Sequence, residues 1–380
     1  MKIVGRELNR GIFFWAAGRL SEWLRKTDKA VNFYLRALEY YPASPGLHFL
    51  TGRAYVKMGG FQEAIEHLQK AIKLQKNPAR YLYWLGELCT RYPLQDPLDL
   101  LNQALVADPE NVKAYLAKGM VYYHAGQFRE ACSNFRQALV FQPDNVSALN
   151  FTGLCYLELG EHEEAINFLD KASRLAPGDA AVNFNLGVAL AKSGRYLEAL
   201  DAFEMAEKNG IHTCEFYNNK GFVLTELKRY DEAMECYRLA LERQPEDISV
   251  INNMGTCLAR SGRHVEAVEC FDRGLKIAPE DETLLNNKAL CLEKMGRLQE
   301  ALELYDAAIA THPRSVPLLM NKAACLIGLG RLKEAIHCYD QVLKVDPQNR
   351  QAWGGKAVIF DRLGEHHQAV ECYNKSFGLA

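Results

Sequence analysis

The stretch at residues 112–145, VKAYLAKGMVYYHAGQFREACSNFRQALVFQPDN, decides the fold because most of the chain repeats it at a step of 34 residues. Three sets of small or rigid residues keep that step, or a multiple of it. They are Gly119, Gly153, Gly187, Gly221 and Gly255; Ala131, Ala165, Ala199, Ala233, Ala267, Ala301, Ala335 and Ala369; and Pro143, Pro177, Pro245, Pro279, Pro313 and Pro347. A fixed period of this size indicates stacked repeats, each of which buries too little apolar surface to fold alone.

The spacing inside this stretch predicts two amphipathic helices. Helical spacing relates Tyr115, Gly119 and Tyr122, and then Phe128, Ala131, Phe135 and Ala138. Gly126 separates the two groups and can adopt a positive φ at a tight corner, whereas Pro143 ends the second helix because it has no N–H to donate. Gly119 lies inside the first helix, where glycine costs about 1 kcal/mol relative to alanine. Its recurrence therefore predicts that the two helices pack closely at this residue.

The order of these aromatic, glycine, alanine and proline positions resembles that of the tetratricopeptide repeat (TPR) family. Counted from Gly11, the sequence has ten full units and a shortened eleventh, after a polar lead-in at residues 1–10. The units are 11–44, 45–78, 79–111, 112–145, 146–179, 180–213, 214–247, 248–281, 282–315, 316–349 and 350–380. The resemblance implies an all-α, right-handed superhelical solenoid of antiparallel helix hairpins, continuous over residues 11–380. It also implies an inner groove that binds proteins or peptides.

The unit at residues 79–111 is irregular, because it has 33 residues and carries Pro93 and Pro97 where its second helix should begin. We expect the first helix to end near Tyr92, since a residue that precedes proline disfavours the helical conformation. We expect Asp96 to cap the second helix, with Pro97 in its first turn. A functional loop is one interpretation of this unit; a tolerated deletion that locally alters the superhelix is the favoured one.

The composition favours a cytoplasmic protein without an electrostatic site for nucleic acid. The 45 basic and 47 acidic residues leave a net charge of −2, which gives no footprint for nucleic acid or an anionic membrane. No apolar run reaches the length of a membrane span, and we interpret the N-terminal segment as the first helix of the array, not as a signal peptide. The eleven cysteines include no C-x-x-C pair. We interpret them as small buried hydrophobic residues in a reducing cytoplasm.

The sequence contains no catalytic or phosphate-binding motif that we recognise, so we predict neither an enzyme nor a cofactor. Gly354, Gly355 and Lys356 resemble a phosphate-binding loop only superficially, because they lie inside a predicted helix. The group most similar to a metal site is His366 with His367 and Cys372. His366 shares its repeat position with His162 and His264, so we interpret it as a packing residue at the corner between helices.

Helical geometry indicates which face of each first helix lines the groove. Relative to the small residue that faces the partner helix, residues six before, two before, one after and five after fall on the opposite face. This groove stripe has a basic and aromatic section, then an apolar section and an amide ladder. The basic section is Arg53, Lys57, Arg80, Trp84 and Arg91; the apolar section is Met120, Phe151, Leu154, Val188 and Phe222; and the amide ladder is Asn185, Asn219, Asn253, Asn287 and Asn321. Interspersed charged residues are Lys192, Glu226, Arg260 and Lys294.

Each section of the groove stripe has a functional and a structural interpretation. Amides present both a donor and an acceptor, so the amide ladder could bind the backbone of an extended peptide. It is similar to the asparagine ladder in the superhelical arm of O-linked N-acetylglucosamine transferase. In the structural interpretation the ladder has no special role, because asparagine is common at this repeat position in the family. The apolar section is a groove patch, or ordinary helix packing if the helical phase differs by one residue. The basic section attracts a carboxylate, or it is a solvated face. The carboxylate clamp of chaperone-binding relatives is not present.

Two hypotheses for function follow. The first is a non-enzymatic module that holds an extended or helical segment of a partner protein in its groove. The alternative is a structural scaffold that self-associates end to end or as a dimer. The aromatic residues Phe13, Phe14, Trp15 and Trp23 motivate the alternative if they form a docking surface, whereas they cap the array in the favoured interpretation. A further motive is that no polar capping helix is expected after residues 350–380.

Overall fold

The computed structural model describes residues 2–92 and 95–379, with side chains from Arg10 onward. These residues form 22 helices and no strand, and their contacts divide the chain into two compact units, Met1–Ser193 and Gly194–Ala380. The helices of the first unit are α1 (Lys2–Trp23), α2 (Thr27–Tyr40), α3 (Pro45–Met58), α4 (Phe61–Leu74), α5 (Ala79–Arg91), α6 (Pro97–Ala107), α7 (Val112–His124), α8 (Phe128–Phe141), α9 (Val146–Glu158), α10 (His162–Leu175) and α11 (Ala180–Lys192). The predicted all-α class is confirmed.

The second unit repeats the same alternation. Its helices are α12 (Tyr196–Lys208), α13 (Cys214–Glu226), α14 (Tyr230–Arg243), α15 (Ile248–Arg260), α16 (His264–Ile277), α17 (Glu282–Lys294), α18 (Leu298–Thr311), α19 (Val316–Gly328), α20 (Leu332–Val345), α21 (Arg350–Arg362) and α22 (His366–Phe377). Within each unit, consecutive helices pack against one another, so that the two helices of a hairpin are in contact and the second helix contacts the first helix of the next repeat. Helix α1 includes residues 2–10, so the segment that we treat as a lead-in is helical.

Close packing within a hairpin depends on the small residue of the first helix. A Cβ atom added to Gly119 would lie 2.5 Å from Cε1 of Phe135, and a Cβ atom on Gly255 would lie 2.5 Å from the same atom of Phe271. Both phenylalanines are fully buried. The prediction that glycine recurs here to let the two helices approach is confirmed.

The corners between helices use positive φ angles. Gly126 has a φ of +72°, as predicted. In the first repeat Arg25 takes this conformation with a φ of 58°, and Lys228 does so with 60° in the seventh. Because a side chain in the left-handed region costs about 1–2 kcal/mol, these two corners store a small strain that glycine would avoid.

The boundaries of the irregular repeat are those that the sequence predicts. Helix α5 ends at Arg91 with Tyr92 as its C-cap, and Pro93 lies outside the described residues. The Oδ1 atom of Asp96 accepts a hydrogen bond from the amide of Leu98 at 2.9 Å, with Pro97 in the first turn of α6. In this repeat the second helix therefore begins at an aspartate N-cap followed by proline, without the corner glycine of the regular repeats.

The cysteines are part of the apolar core. All eleven are free thiols, and ten are buried, Cys270 being partly exposed. This confirms the interpretation of cysteine as a small core residue. Among the described helices, none combines the length and the apolar character that a membrane-spanning segment requires.

Candidate interaction surface on the first helices

The amide ladder forms hydrogen bonds between successive repeats. Asn185 donates from Nδ2 to Oδ1 of Asn150 at 2.9 Å, across a separation of 35 residues. The same bond joins further pairs in the second unit: Asn253 to Asn218 at 3.0 Å, Asn287 to Asn252 at 2.8 Å, and Asn321 to Asn286 at 2.7 Å. Each acceptor precedes by one residue the ladder position of its own repeat. The ladder therefore ties adjacent first helices together, a role that the sequence analysis missed.

Asn219 is the exception within the amide ladder. Its Nδ2 atom donates to the backbone carbonyl of Glu215 in the same helix, at 2.9 Å. The other four ladder residues are half-buried and use one amide hydrogen on a neighbouring repeat. An asparagine side chain has further donor and acceptor capacity beyond one such bond. The ladder can therefore stabilise the array and still offer polar atoms at its surface.

The apolar section divides into packed and accessible residues. Met120 and Phe151 pack against the core cluster around Phe135, and the rings of Phe151 and Phe135 stack with their centroids 5.4 Å apart. Leu154 and Val188 are half-buried. Phe222 is 39% exposed and meets the ring of Tyr196 edge-on at 6.3 Å. Met120 and Phe151 thus fit the packing interpretation, because they contact the core, whereas Phe222 presents apolar surface to solvent.

The basic section is partly neutralised by Glu22 of helix α1. Lys57 donates to the Glu22 carboxylate at 2.7 Å, and Arg53 lies 3.6 Å from it. The hydroxyl of Tyr34 also donates to Glu22, at 3.0 Å. Burial opposes ionisation of Glu22, but these hydrogen bonds and the two cations together hold the pKa of its carboxyl below its ordinary value. Glu22 is therefore an anion at neutral pH that braces Lys57 and Arg53.

Four of the five predicted basic-section residues line one cavity, which we call the first cavity. It has a volume of about 270 Å³. Its lining is Arg53, Val56, Lys57, Phe61, Leu68, Trp84, Glu87, Leu88, Arg91 and Tyr92. Arg80 does not line it; its guanidinium lies 4.6 Å from the ring centroid of Phe49, beside a separate cavity. The section thus combines cations with apolar and aromatic walls instead of forming a solvated face.

A second cavity opens on the first helices of the second unit. It has a volume of about 380 Å³. Its lining is Thr256, Ala259, Arg260, His264, Phe271, Asn287, Leu290, Cys291 and Lys294. Arg260 is an ion-pair partner of Glu226, the residue 34 positions earlier. The helical pattern predicts that Arg260, Asn287 and Lys294 lie on the groove stripe, but the cavity that they line together is seen only in the structure.

The histidines at the helix corners do not share one environment. His162 and His264 each bury the Nδ1 atom. The His366 side chain is 77% exposed, and its Nδ1 atom lies 3.1 Å from Asp361, so its interpretation as a packing residue was wrong. His264 is half-buried and lines a cavity together with residues of the following first helix, α17. Within the described residues, no group of three metal-binding side chains comes together.

The geometry defines a class of protein: an all-α array of helix hairpins whose first helices present a continuous stripe of side chains within each unit. Tetratricopeptide repeat profiles match residues 116–180 and 252–316, residues 156–209 and 292–359, residues 212–280 and residues 351–380. A TPR repeat profile also matches residues 52–89. The chain belongs to the tetratricopeptide repeat family.

Several solved structures are similar to this chain, and the first of them supports the fold. The crystal structure of yeast Tom70 is 18% identical, covers 97% of this chain and 92% of its own, and superposes with a TM-score of 0.51. The Cut9–Hcn1 heterotetramer of the APC/C is 12% identical and has a TM-score of 0.47, with coverage of 92% and 96%. YrrB, a TPR protein with an unusual peptide-binding site, is 25% identical over 50% of this chain and 97% of its own, with a TM-score of 0.41. No curated protein sequence matches this chain significantly.

Proposed function

We propose that this protein is a non-enzymatic interaction module that holds a segment of a partner protein along the groove stripe of its first helices. The observation that carries the proposal is the exposure of Phe222, which presents 39% of its surface to solvent on this stripe. Half-buried Leu154 occupies the equivalent position in the first unit. Isolated exposed apolar residues are common on protein surfaces, so what supports the proposal is that Phe222 shares the stripe with half-buried Leu154 and Val188.

The three sections of the stripe suggest how a partner segment is held. The spare donors and acceptors of the amide ladder bind its backbone, and Leu154, Val188 and Phe222 of the apolar section bind its apolar side chains. The basic section around Arg53 and Arg91 attracts its acidic side chains, and arginine can contact a carboxylate with two parallel hydrogen bonds. Because these contacts are side-chain contacts on rigid helices, binding requires little rearrangement of the array.

We also propose a reducing cytoplasm as the working compartment. The eleven thiols are all free and are distributed through the core of both units. Disulfides persist mainly in oxidising compartments, so a chain that uses cysteine as a core residue suits a reducing one.

The proposal is tested by affinity capture from lysate with two baits that differ only on the stripe. We expect Leu154→Glu with Phe222→Glu to lose partners that the wild type retains, because a carboxylate at these positions would be desolvated by a bound apolar side chain. The matched control is Val140→Glu with Leu197→Glu, since these valine and leucine side chains are 66% and 69% exposed on second helices. Quantitative mass spectrometry compares the three baits. Equal recovery of every partner by all three would contradict the stripe as a binding surface.

Exposed aromatic residues on α1 favour self-association as a second candidate function. Phe13, Trp15 and Trp23 are 64%, 44% and 78% exposed, while Phe14 packs against Phe33 and Tyr40. Aromatic side chains with this exposure are enriched at protein interfaces. Light scattering over a concentration series tests the idea with wild type and with Phe13→Ser plus Trp23→Ser. A mass that rises with concentration only in the wild type supports it, and a constant monomer mass for both excludes it.

A further inference from the structure

The first cavity and the second cavity are built from the same repeat positions. Nine lining residues of each cavity, five from one repeat and four from the next, have a counterpart in the other cavity. The pairs are Arg53 and Thr256, Val56 and Ala259, Lys57 and Arg260, Phe61 and His264, Leu68 and Phe271, Trp84 and Asn287, Glu87 and Leu290, Leu88 and Cys291, and Arg91 and Lys294. Only Tyr92 of the first cavity lacks a counterpart. The two units therefore each contain one copy of the same kind of pocket.

The sequence alone also distinguishes the two pairs of repeats that form these cavities. The last stripe position of each repeat, five residues after the small residue, is occupied in order by Trp23, Lys57, Arg91, His124, Glu158, Lys192, Glu226, Arg260, Lys294, Gly328 and Arg362. Lysine or arginine follows lysine or arginine in consecutive repeats only at Lys57 with Arg91, and at Arg260 with Lys294. These two pairs line the two cavities. A paired cation and an open pocket thus occur together twice.

The two cations of each pair have different surroundings. The first is braced by a glutamate from the preceding first helix: Lys57 by Glu22 at 2.7 Å, and Arg260 by Glu226 at 3.1 Å. The second is more available. Arg91 is 73% exposed and comes only within 3.8 Å of Glu87, and exposed Lys294 has no ion pair within the part of the chain that the structure describes. Each pocket therefore has one more cation than the glutamates that pair with its cations.

The pocket walls below these rim cations are apolar. Val56, Leu68 and Leu88 line the first cavity together with aromatic rings, and Ala259, Phe271 and Leu290 line the second. Burial of a leucine or phenylalanine side chain against such walls is favourable, and a cation at the rim selects a partner of opposite charge. The chemistry of the two sites is therefore complementary to an apolar side chain that lies beside an anion.

We infer that each cavity takes a large apolar side chain of a partner segment, and that an adjacent aspartate or glutamate of that segment pairs with Arg91 in the first cavity or Lys294 in the second. The inference rests on the proposed function and specifies its partner chemistry. It predicts that the two units recognise the same short motif, an aromatic residue or leucine with a neighbouring acid. The motif can lie inside a chain, since its carboxylate belongs to a side chain.

Selection from a phage-displayed library of random peptides tests this inference on the full chain. Three baits are compared: wild type, Arg91→Glu with Lys294→Glu, and Lys192→Glu with Arg362→Glu. The last pair is the matched control, because Lys192 and Arg362 occupy the same repeat position but line neither cavity. Circular dichroism melts confirm that all three baits are folded. We expect acid-plus-apolar peptides to be enriched by the wild type and by the control, and not by the first variant.

Other outcomes separate this inference from the proposed function. Peptides that bind all three baits equally, or that lack the acid, would overturn the inference while leaving groove binding intact. Enrichment of no peptide by any bait would count against the proposed function itself. Fluorescence anisotropy with a selected, C-terminally amidated peptide then measures each cavity separately. We expect Arg91→Glu or Lys294→Glu to weaken binding at its own site by about tenfold, and the same loss when the peptide's acid is replaced by its amide.

Discussion

Gly119 and Gly354 both lie inside first helices, yet the space around them differs completely. A Cβ atom on Gly119 would meet three ring atoms of Phe135 at 2.5, 2.7 and 2.8 Å, whereas a Cβ atom on Gly354 would meet nothing within 4 Å. The first glycine is required by packing, and the second is only a weak helix former. The same residue type thus has opposite effects on stability at two positions.

We therefore predict that alanine substitutions at these two glycines change the free energy of unfolding in opposite directions. Gly119→Ala should destabilise the protein by about 1 kcal/mol, because overpacking costs roughly 1–3 kcal/mol and the gain in helix propensity offsets about 1 kcal/mol. Gly354→Ala should stabilise it by about 0.5–1 kcal/mol, since only the propensity term applies. Urea unfolding of both variants measures the two changes. Stabilisation by both substitutions would show that the Phe135 ring can move aside without cost, and would contradict the claim that packing requires glycine at residue 119.

At the scale of the helices, the amide ladder joins each first helix to the next one. The bond from Asn321 to Asn286 is the shortest of the series at 2.7 Å, and both side chains are half-buried. An intramolecular hydrogen bond of this kind contributes about 1 kcal/mol net, and its loss leaves a partly buried amide without its partner. The ladder should therefore couple adjacent repeats energetically.

A double-mutant cycle measures that coupling. We expect Asn286→Ala and Asn321→Ala to show a coupling energy of about 0.5–1.5 kcal/mol in equilibrium unfolding. The control cycle combines Asn219→Ala with Asn253→Ala, because Asn219 bonds within its own helix and Asn253 bonds to Asn218. The control should give a coupling near zero. Equal coupling in the two cycles would mean that the inter-repeat bond contributes nothing of its own.

The limits of prediction also appear at this scale. Tyr92 and Asp96 could be interpreted correctly because capping rules act within a few residues of the chain, and Gly119 because its recurrence at one repeat position indicates close packing within the hairpin. The 35-residue amide bonds were missed, since they depend on how far each first helix is offset from the next. The cavities were missed for the same reason: a pattern places Trp84 and Arg91 on one face, but the empty volume between two helices depends on their separation. His366 was misinterpreted because a shared repeat position does not ensure shared burial: its side chain is exposed, whereas His162 and His264 each bury Nδ1.

At the scale of the whole molecule, the free thiols share one electrostatic property. Burial raises the pKa of all eleven above the ordinary value of 9.0, to about 12 for Cys155 and about 11 for Cys236, Cys270 and Cys325. The folded chain therefore keeps its protons at a pH where the unfolded chain loses them. Stability from these groups is fully present below pH 9 and falls as the pH rises through the folded pKa values.

We accordingly predict a cooperative loss of stability in alkali. The melting temperature should be nearly constant between about pH 7 and about pH 8.5 and should fall steeply toward about pH 11. Differential scanning calorimetry in the presence of a reductant measures this and excludes disulfide formation. The native protein should also react slowly with a thiol reagent, and the unfolded protein rapidly at all eleven sites. A flat melting temperature through pH 11 would contradict the burial of the thiols.

The inter-repeat amide bonds have a consequence for how such a chain can change its length. Asn218, Asn252 and Asn286 are equivalent acceptors, and Asn253, Asn287 and Asn321 are equivalent donors. Excision of residues 248–281 would bring Asn287 against Asn218, so that the new junction forms the same bond as the two that it replaces. A duplication of one unit would likewise add one bond of the same kind. Recombination in whole repeats among these units therefore preserves the amide bond at the new junction, whereas gain or loss of part of a repeat breaks it.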